Sequence, residues 1–526
     1  MTCRLLSGPV SGLLSQTYNT NFVVEQQLNG SPLSLAYNAD LQPTAIGTLA
    51  LTYNSSGRLA GTTLGSVSAT FLYDTYGELT QRRYKSGGVD VFVENFRADD
   101  GGRIVSATEN IEGVAVTCDY AYDTVGRLTD VFVGGAPRWH YEYDGNSNRI
   151  AFDDFVTNES ASGTYDAQDR LLDHGGATFT YTENGELLTK TDAGLVTSYD
   201  YDVFGNLDAV TLPDGRVIEY LTDARDRRVA KVVDGVMEQG WLYQDGLNPV
   251  AELDGSGQVV SRFVYGTSGH VPTYMLKDGV TYALLSDVRG SVRRVVEVST
   301  GAVVQELEYS PFGRVLVDTN PGFQPFGYAG GLYDSDTGLV RFGARDYDGG
   351  IGRWTAKDPI GFSGGDANLY GYVLADPVNG VDPSGLDWIY VPYFDDKRAV
   401  DLFDEEYEKA VDDLGDEASE EELCHTAKLR LKARREDECL YYWSCSDYWP
   451  LVESEHYAHA REECASGDIL RCAGVVSGIS LYDSMKQSAA GAAAILALDL
   501  VGGGWTSGFN VGVSIASYLG VIDGLL

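Results

Sequence analysis

The stretch Tyr73-Asp-Thr-Tyr-Gly-Glu-Leu-Thr80 returns downstream as Tyr122-Asp-Thr-Val-Gly-Arg-Leu-Thr129. In both, the tyrosine closes one strand, Asp and Gly supply the hydrogen bonds and positive φ of a tight turn, and Leu-Thr opens the next strand. Further copies are Tyr53-Asn-Ser-Ser-Gly-Arg-Leu59, Tyr165-Asp-Ala-Gln-Asp-Arg-Leu171, Tyr181-Thr-Glu-Asn-Gly-Glu-Leu187 and Tyr201-Asp-Val-Phe-Gly-Asn-Leu207, with weaker ones beginning at Tyr143, Tyr220, Tyr243 and Tyr265. Most neighbouring copies are 16 to 23 residues apart, and the long gap after Tyr73 holds a degenerate copy, Phe96-Arg-Ala-Asp-Asp-Gly-Gly-Arg103. One such unit buries little alone. Stacked units pair edge to edge into a long curved sheet, whose inner face need not be apolar if it encloses something. A blade period of about 40 residues is missing, so a spiral sheet is expected rather than a propeller.

Composition agrees. The 526 residues include 62 Gly and 34 Tyr against 4 Met, which favours many tight turns between aromatic-rich strands over helical bundles. The formal net charge of -39 repels phosphate backbones, so nucleic acid is not an expected partner. Residues 1–15 carry one Arg and are broken by Gly8, Pro9 and Gly12, which is not the pattern of a secretory signal. The chain starts close to repeat-like sequence, as a fragment or one half of a split system would.

Beyond Tyr265 the spacing changes. Leu284-Leu-Ser-Asp-Val-Arg-Gly-Ser-Val-Arg293, Tyr309-Ser-Pro-Phe-Gly-Arg314 and Phe326-Gly-Tyr-Ala-Gly330 read as turn-rich blocks outside the repeat, and a cluster of Gly, Asp and Arg fills 334–386. That cluster contains Asp336-Thr-Gly-Leu339, Arg345-Asp-Tyr-Asp348, Gly352-Arg-Trp354, Asp358-Pro-Ile-Gly361, Asn368-Leu-Tyr-Gly-Tyr372 and Asp382-Pro-Ser-Gly-Leu386. Together with the Tyr-Asp repeats, these motifs resemble the Rhs/YD-repeat polymorphic toxins over about residues 20 to 386. The resemblance implies a mainly β, cocoon-like shell (1–285), a repeat-associated core with an autoproteolytic site (286–386) and a variable C-terminal toxin domain (387–526). It also implies a cut after Leu386, before Asp387, and a likeness to type VI secretion cargo or to Tc toxin shell subunits. The shell portion is short beside family shells that close by themselves.

Peptide hydrolysis by carboxylates needs two that share a site, one ionised to activate water and one protonated to polarise the carbonyl. Asp358 and Asp382 both begin an Asp-Pro-x-Gly sequence, and Asp382 lies four residues before the implied cut. By resemblance Arg345 and Asp346 belong to the site, Arg345 as a fixed cation for a carboxylate or a developing oxyanion. Which two of Asp346, Asp358 and Asp382 form the working pair is open, with Asp336 and Asp376 in reserve. Asp-Pro-x-Gly is also a common turn signal, so each aspartate has a competing structural role.

The tail switches to acidic helical patterning over 398–414 and 419–442, with 27 Asp/Glu against 11 Lys/Arg from Asp387 onward. Cys424, His425, Cys439, Cys445, His456, His459, Cys464 and Cys472 contain no Cys-x-x-Cys pair and no His-Glu-x-x-His, so neither metal nor other cofactor is expected. Residues 488–526 form two apolar arms around Val501-Gly-Gly-Gly504, with Asp499 near the hinge. Each arm is shorter than the roughly 20 residues of a simple membrane span. A buried helical hairpin and a membrane-inserting one both fit. The primary expectation is a mainly α-helical toxin tail acting at a target-cell membrane, delivered by a specialised, non-Sec system or cell-associated. Its expected partners are a cognate immunity protein and a secretion-apparatus protein or second shell subunit. A hydrolytic tail (nuclease or peptidase, using His456 and His459) and a non-toxic surface adhesion protein are the competing classes.

Overall fold

A computed structural model describes residues 10–391 apart from 20, 21, 76, 100, 101 and 112, together with the backbone of 2–6. The tail expected to be helical, its cysteines and histidines, and the hairpin expected over 488–526 lie outside the described residues. Within them the chain is one antiparallel meander of 31 strands, from Thr2–Leu6 to Val315–Asp318, each pairing with the next in sequence.

The Tyr-Asp unit explains both the turn and the stacking. Around Asp123, the backbone N–H donates to the Arg127 carbonyl (3.0 Å), Oδ1 accepts the N–H groups of Val125 and Arg127 (3.0 and 2.9 Å), and Oδ2 accepts Arg127 Nε (2.7 Å). Gly126 closes the loop at φ 97°, a conformation costly for a residue with a Cβ. The Arg127 guanidinium then lies 5.0 Å from the ring centre of Tyr143, the tyrosine of the following unit, whose hydroxyl donates back to the Leu128 carbonyl (2.8 Å). The same backward latch joins Tyr53 to Pro43, Tyr122 to Ile104, Tyr165 to Arg149 and Tyr243 to Arg228. Units are thus tied to their neighbours by neutral hydrogen bonds and, where the preceding turn carries an arginine, as before Tyr73, Tyr122, Tyr143 and Tyr243, by a cation–π contact as well. Tyr143→Phe, which removes only the hydrogen bond, is expected to cost about 1 kcal/mol in denaturant unfolding, with little change in transition steepness.

Three sequence assignments change. The unit placed at Tyr220 is shifted by two residues: Thr222 closes the strand, Asp223 N–H donates to the Arg227 carbonyl, and Asp226 takes the left-handed position at φ 59°. Tyr220 is buried instead, its hydroxyl donating to Asp334 (2.6 Å). The turn is set by the aspartate and the left-handed residue, so the aromatic position tolerates replacement. For the same reason the blocks at 284–293 and 309–314 are further repeats, with Asp287/Gly290 and Ser310/Gly313 making the same turn bonds. The meander consequently runs past residue 285, as far as Asp318.

The sheet coils until distant turns meet. Arg262 Nη1 donates to the Ser31 carbonyl (2.8 Å), Ser66 Oγ to the Val298 carbonyl (2.5 Å), and Arg293 forks onto both oxygens of Glu109 (2.8 Å each). Apolar clusters bridge the same segments, Leu14 and Leu28 with Trp241 and Leu242, and Leu64 and Val67 with Val296.

Residues 319–391 fold into a compact core around a four-stranded sheet, Leu332–Tyr333, Leu339–Phe342, Arg345–Asp348 and Arg353–Trp354. It is packed by Tyr328, Phe342, Tyr347, Trp354 and Tyr372, with the Tyr347 and Tyr372 ring centres 4.5 Å apart. From Asp334 to Asn379 the core touches successively earlier repeats at several points, though Asp346 and Tyr370 reach back to Arg228 and Gly185. Asp334 accepts from Tyr220 and Lys231, Arg341 donates to Asn206, the Thr355 carbonyl accepts Leu187 N–H, Asn368 donates to Asn148, and Asn379 Oδ1 accepts Ile104 N–H. The candidate site therefore sits on a scaffold anchored to several units of the wall at once.

Candidate active site

In the strand Arg345–Asp348 consecutive side chains point to opposite faces of the sheet. Arg345 faces the Asp-Pro-x-Gly turns. Its Nη2 lies 3.0 Å from Asp358 Oδ2 and 3.2 Å from Asp382 Oδ2, so one guanidinium nitrogen bridges the two carboxylates. Nε donates to the Gly385 carbonyl, Nη1 to the Leu369 carbonyl (3.3 Å), and the guanidinium carbon lies 4.2 Å from the Trp354 ring centre. All three charged residues are at least nine-tenths buried at the side chain, with Arg345 5% exposed, Asp358 8% and Asp382 4%. A buried cation with this many fixed acceptors cannot swing away without leaving charges unpaired.

Asp382 also grips the chain at the implied cut. Its Oδ1 accepts Leu386 N–H (3.1 Å) and the Ser384 hydroxyl (3.0 Å), while Ser384 Oγ accepts Leu386 N–H (3.1 Å) and Asp387 N–H (3.2 Å). Gly364 lies close to both the other carboxylate and the same bond. A Cβ there would stand 2.6 Å from Asp358 Oδ2 and 2.8 Å from the Leu386 carbonyl oxygen. Asp358 Oδ1 is held by Ile360 N–H (2.9 Å). A small pocket lined by Arg345, Trp354, Asp358, Gly364, Asp366, Asp382 and Leu386 joins these groups.

Burial pushes the Asp382 carboxyl up to about 6 against the pull of Arg345, and raises Asp358 by the same cause against the same partner. Asp387 is raised to about 6 by burial and by the neighbouring charge of Asp358. Carboxyls raised this way hold protons well above the range of an exposed aspartate.

Asp346 is not brought into this cluster. Its side chain points the other way, with Oδ1 accepting from Arg228 (2.8 Å) and Oδ2 from Arg341 (2.9 Å). Asp336 pairs with Lys231 and Arg216, and Asp376 accepts three bonds from Asn379, so neither reserve reaches the cut. Sequence reasoning missed Ser384 and Gly364. Their only signal was position, inside Asp382-Pro-Ser-Gly and in the Gly364-Gly365 pair. Among the described residues no cluster of side chains could hold a metal ion.

A continuous meander of Tyr-Asp hairpins, coiled on itself and joined to a core of this kind, defines a YD-repeat shell of the Rhs type. The Teneurin YD-shell model matches residues 12–377, and the chain belongs to that family. It is 30% identical to Teneurin-4 of Mus musculus over 293 residues, 54% of this chain and 10% of that protein. It is 28% identical over 261 residues to the tRNA3(Ser)-specific nuclease WapA of Bacillus spizizenii, 48% of this chain and 11% of that one. The chain thus spans only about a tenth of the length of these curated relatives. Among solved structures it is similar to TcdB2-TccC3, with a TM-score of 0.53 at 18% identity, covering 72% of this chain and 22% of that one. At that identity the likeness is one of fold.

Proposed function

We propose that this chain is an Rhs-type toxin polypeptide whose core cuts it between Leu386 and Asp387 by intramolecular aspartyl proteolysis, freeing a tail that acts on a target cell at its membrane. One observation carries the reading: Arg345 bridges Asp358 and Asp382 while Asp382 accepts the N–H of Leu386. Two buried carboxyls beside one cation titrate as a pair, and the state with one shared proton supplies both an acid and a base. In this reading Asp358, whose Oδ2 lies beside Gly364 as the Leu386 carbonyl oxygen does, donates to that oxygen. Asp382, ionised and held by three donors, takes the proton of the attacking water. Arg345 keeps the two carboxylates together and limits their repulsion. Asp346 acts outside this chemistry, holding the strand that carries Arg345.

Gly364→Ala tests the contact at the carbonyl, because the added methyl occupies the space between Asp358 and Leu386. Cutting is expected to slow by about 10²-fold, a loss typical of a misplaced catalytic group. The whole reading is tested by mass analysis of the purified full chain, which should contain one fragment ending at Leu386 and another beginning at Asp387. Full-length protein alone sinks it. A fragment pair together with collapse of membrane potential in cells producing residues 387–526 supports action at the membrane. The relative named as a tRNA nuclease favours a second reading, a hydrolytic tail, which predicts degraded RNA in cells whose potential is intact. A cognate immunity protein, a secretion-apparatus protein and a second shell subunit are the partners this reading calls for.

A further inference from the structure

Hydrolysing the Leu386–Asp387 bond requires a proton on the leaving nitrogen, and the site as described so far supplies none directly. Both Asp358 oxygens are committed elsewhere, Oδ1 to Ile360 N–H and Oδ2 to Arg345 beside the Leu386 carbonyl oxygen. Asp382 Oδ2 faces Arg345, and its Oδ1 accepts from Leu386 N–H and Ser384. The nitrogen of Asp387 donates its N–H to Ser384 Oγ, at 3.2 Å. The same hydroxyl donates to Asp382 Oδ1 at 3.0 Å, and Ser384 is buried, 8% exposed.

We propose that Ser384 is a catalytic proton relay, passing a proton from Asp382 to the leaving nitrogen of Asp387. This rests on the aspartyl reading above. Water adds its oxygen to the Leu386 carbonyl carbon and gives one proton to Asp382, while Asp358 protonates the carbonyl oxygen. In the intact amide the Asp387 N–H donates to Ser384 Oγ. When the carbonyl carbon becomes tetrahedral the nitrogen regains its lone pair, and after inversion the contact carries a proton the other way. Ser384 gives its hydroxyl proton to the nitrogen and takes the proton held by Asp382, the C–N bond breaks, and one hydroxyl of the intermediate returns its proton to Asp358. The products are the Leu386 carboxylic acid and the Asp387 amine, and every group of the site is restored.

The competing account is that Ser384 is an ordinary turn residue whose hydroxyl satisfies two backbone N–H groups. The two separate by kinetics. The full chain is made by cell-free translation with a short radioactive pulse, and conversion to the two fragments is followed in H2O and D2O. Ser384→Ala is expected to cut on the order of 10²-fold more slowly, the usual contribution of a positioned acid–base group. Ser384→Thr, which keeps the hydroxyl, is expected to stay within about threefold of the parent, a difference too small for the loss of such a group. The decisive readout is the rate in mixed H2O and D2O. A two-proton relay bends its dependence on deuterium fraction, and Ser384→Ala should straighten it, which the loss of a turn contact does not do. An Ala variant cutting at the parent rate, or slowly with the curvature retained, overturns the relay. Asp358→Asn and Asp382→Asn run beside it keep the two claims apart: if either still cuts at the parent rate, the aspartyl reading itself has failed, whereas two inert Asn variants beside a fast Ser384→Ala remove the relay alone.

Discussion

Asp382→Asn, produced as the full chain, is expected to run as a single uncut band on a denaturing gel, its cutting slowed on the order of 10³-fold, within the range for loss of a general base. The substitution keeps the shape of the side chain and its acceptor oxygen toward Leu386 N–H, so the turn should survive while the base is lost. Arg345→Met should also abolish the cut but for a different reason, and it should damage the fold. It leaves Asp358 and Asp382 buried together with no cation between them, and it removes the donors to Gly385 and Leu369. Both carboxyls are already raised by burial, and loss of Arg345 raises them further. A carboxyl whose folded value lies above its unfolded one stabilises the fold at low pH and loses that contribution as pH rises through the folded value. Arg345→Met should therefore be closest to the parent in stability near pH 5 and weakest near pH 8. Two fragments meeting at Leu386 in the Asp382→Asn preparation would remove the dyad from consideration.

Asp346→Ala is expected to lower stability by about 3–5 kcal/mol, the usual result of removing one partner from a buried ion group. Asp346 is 1% exposed at the side chain and sits between Arg228 and Arg341, themselves 3% and 4% exposed, so its loss strands two guanidinium groups inside the protein. Arg228 lies 3.5 Å from the Tyr220 ring centre and is anchored in the wall, which makes this triad a tie between wall and core. Cutting should persist wherever the variant remains folded. If Asp346→Asn, with the stability loss measured and excluded by working well below its melting temperature, still fails to cut, then Asp346 takes part in the chemistry.

The wall was largely legible because one short turn repeats and each of its parts has a local physical job. Asp accepts backbone N–H groups, Gly supplies positive φ, and tyrosine reaches back to the preceding unit. The copies misplaced or passed over are those where one part is replaced: Thr222 for the tyrosine in the unit placed at Tyr220, Ser310 for the aspartate in a block read as outside the repeat, and Leu41 at φ 65° for the glycine in a turn over Asn38 to Gln42 that was passed over. In each the backbone still makes the turn, a redundancy that letter matching does not register. The coiling was not legible, since contacts such as Arg262 to Ser31 join segments with no sequence relation.

For the candidate site, Asp-Pro-x-Gly placed Asp358 and Asp382, and the structure brings both to Arg345. Arg345 and Asp346 were both expected in the site because the family resemblance implies them there. Strand geometry separates them, for neighbours on a strand face opposite sides. Ser384 and Gly364 matter through an approach of 3.2 Å and through an absent methyl group, and neither leaves a pattern in a single sequence.

The residues just past Leu386 are held as firmly as those before it. Ile389–Tyr390 pairs with Gly380–Val381, Val391 N–H donates to the Asn379 carbonyl at 2.6 Å, and Ile389 and Val391 are each 1% exposed. Severing Leu386 from Asp387 would then be the first of two steps in freeing the tail, since this pairing would still hold it. It would create an ammonium group next to Asp358 and Asp382, an electrostatic clasp that opposes rejoining and departure alike. On the proposed reading, chain scission and discharge of the tail would be separate events with separate clocks, the second set by how fast a short strand peels from its partner. A pull on the tail or a loosening of the core, rather than the protease, would decide when the contents leave.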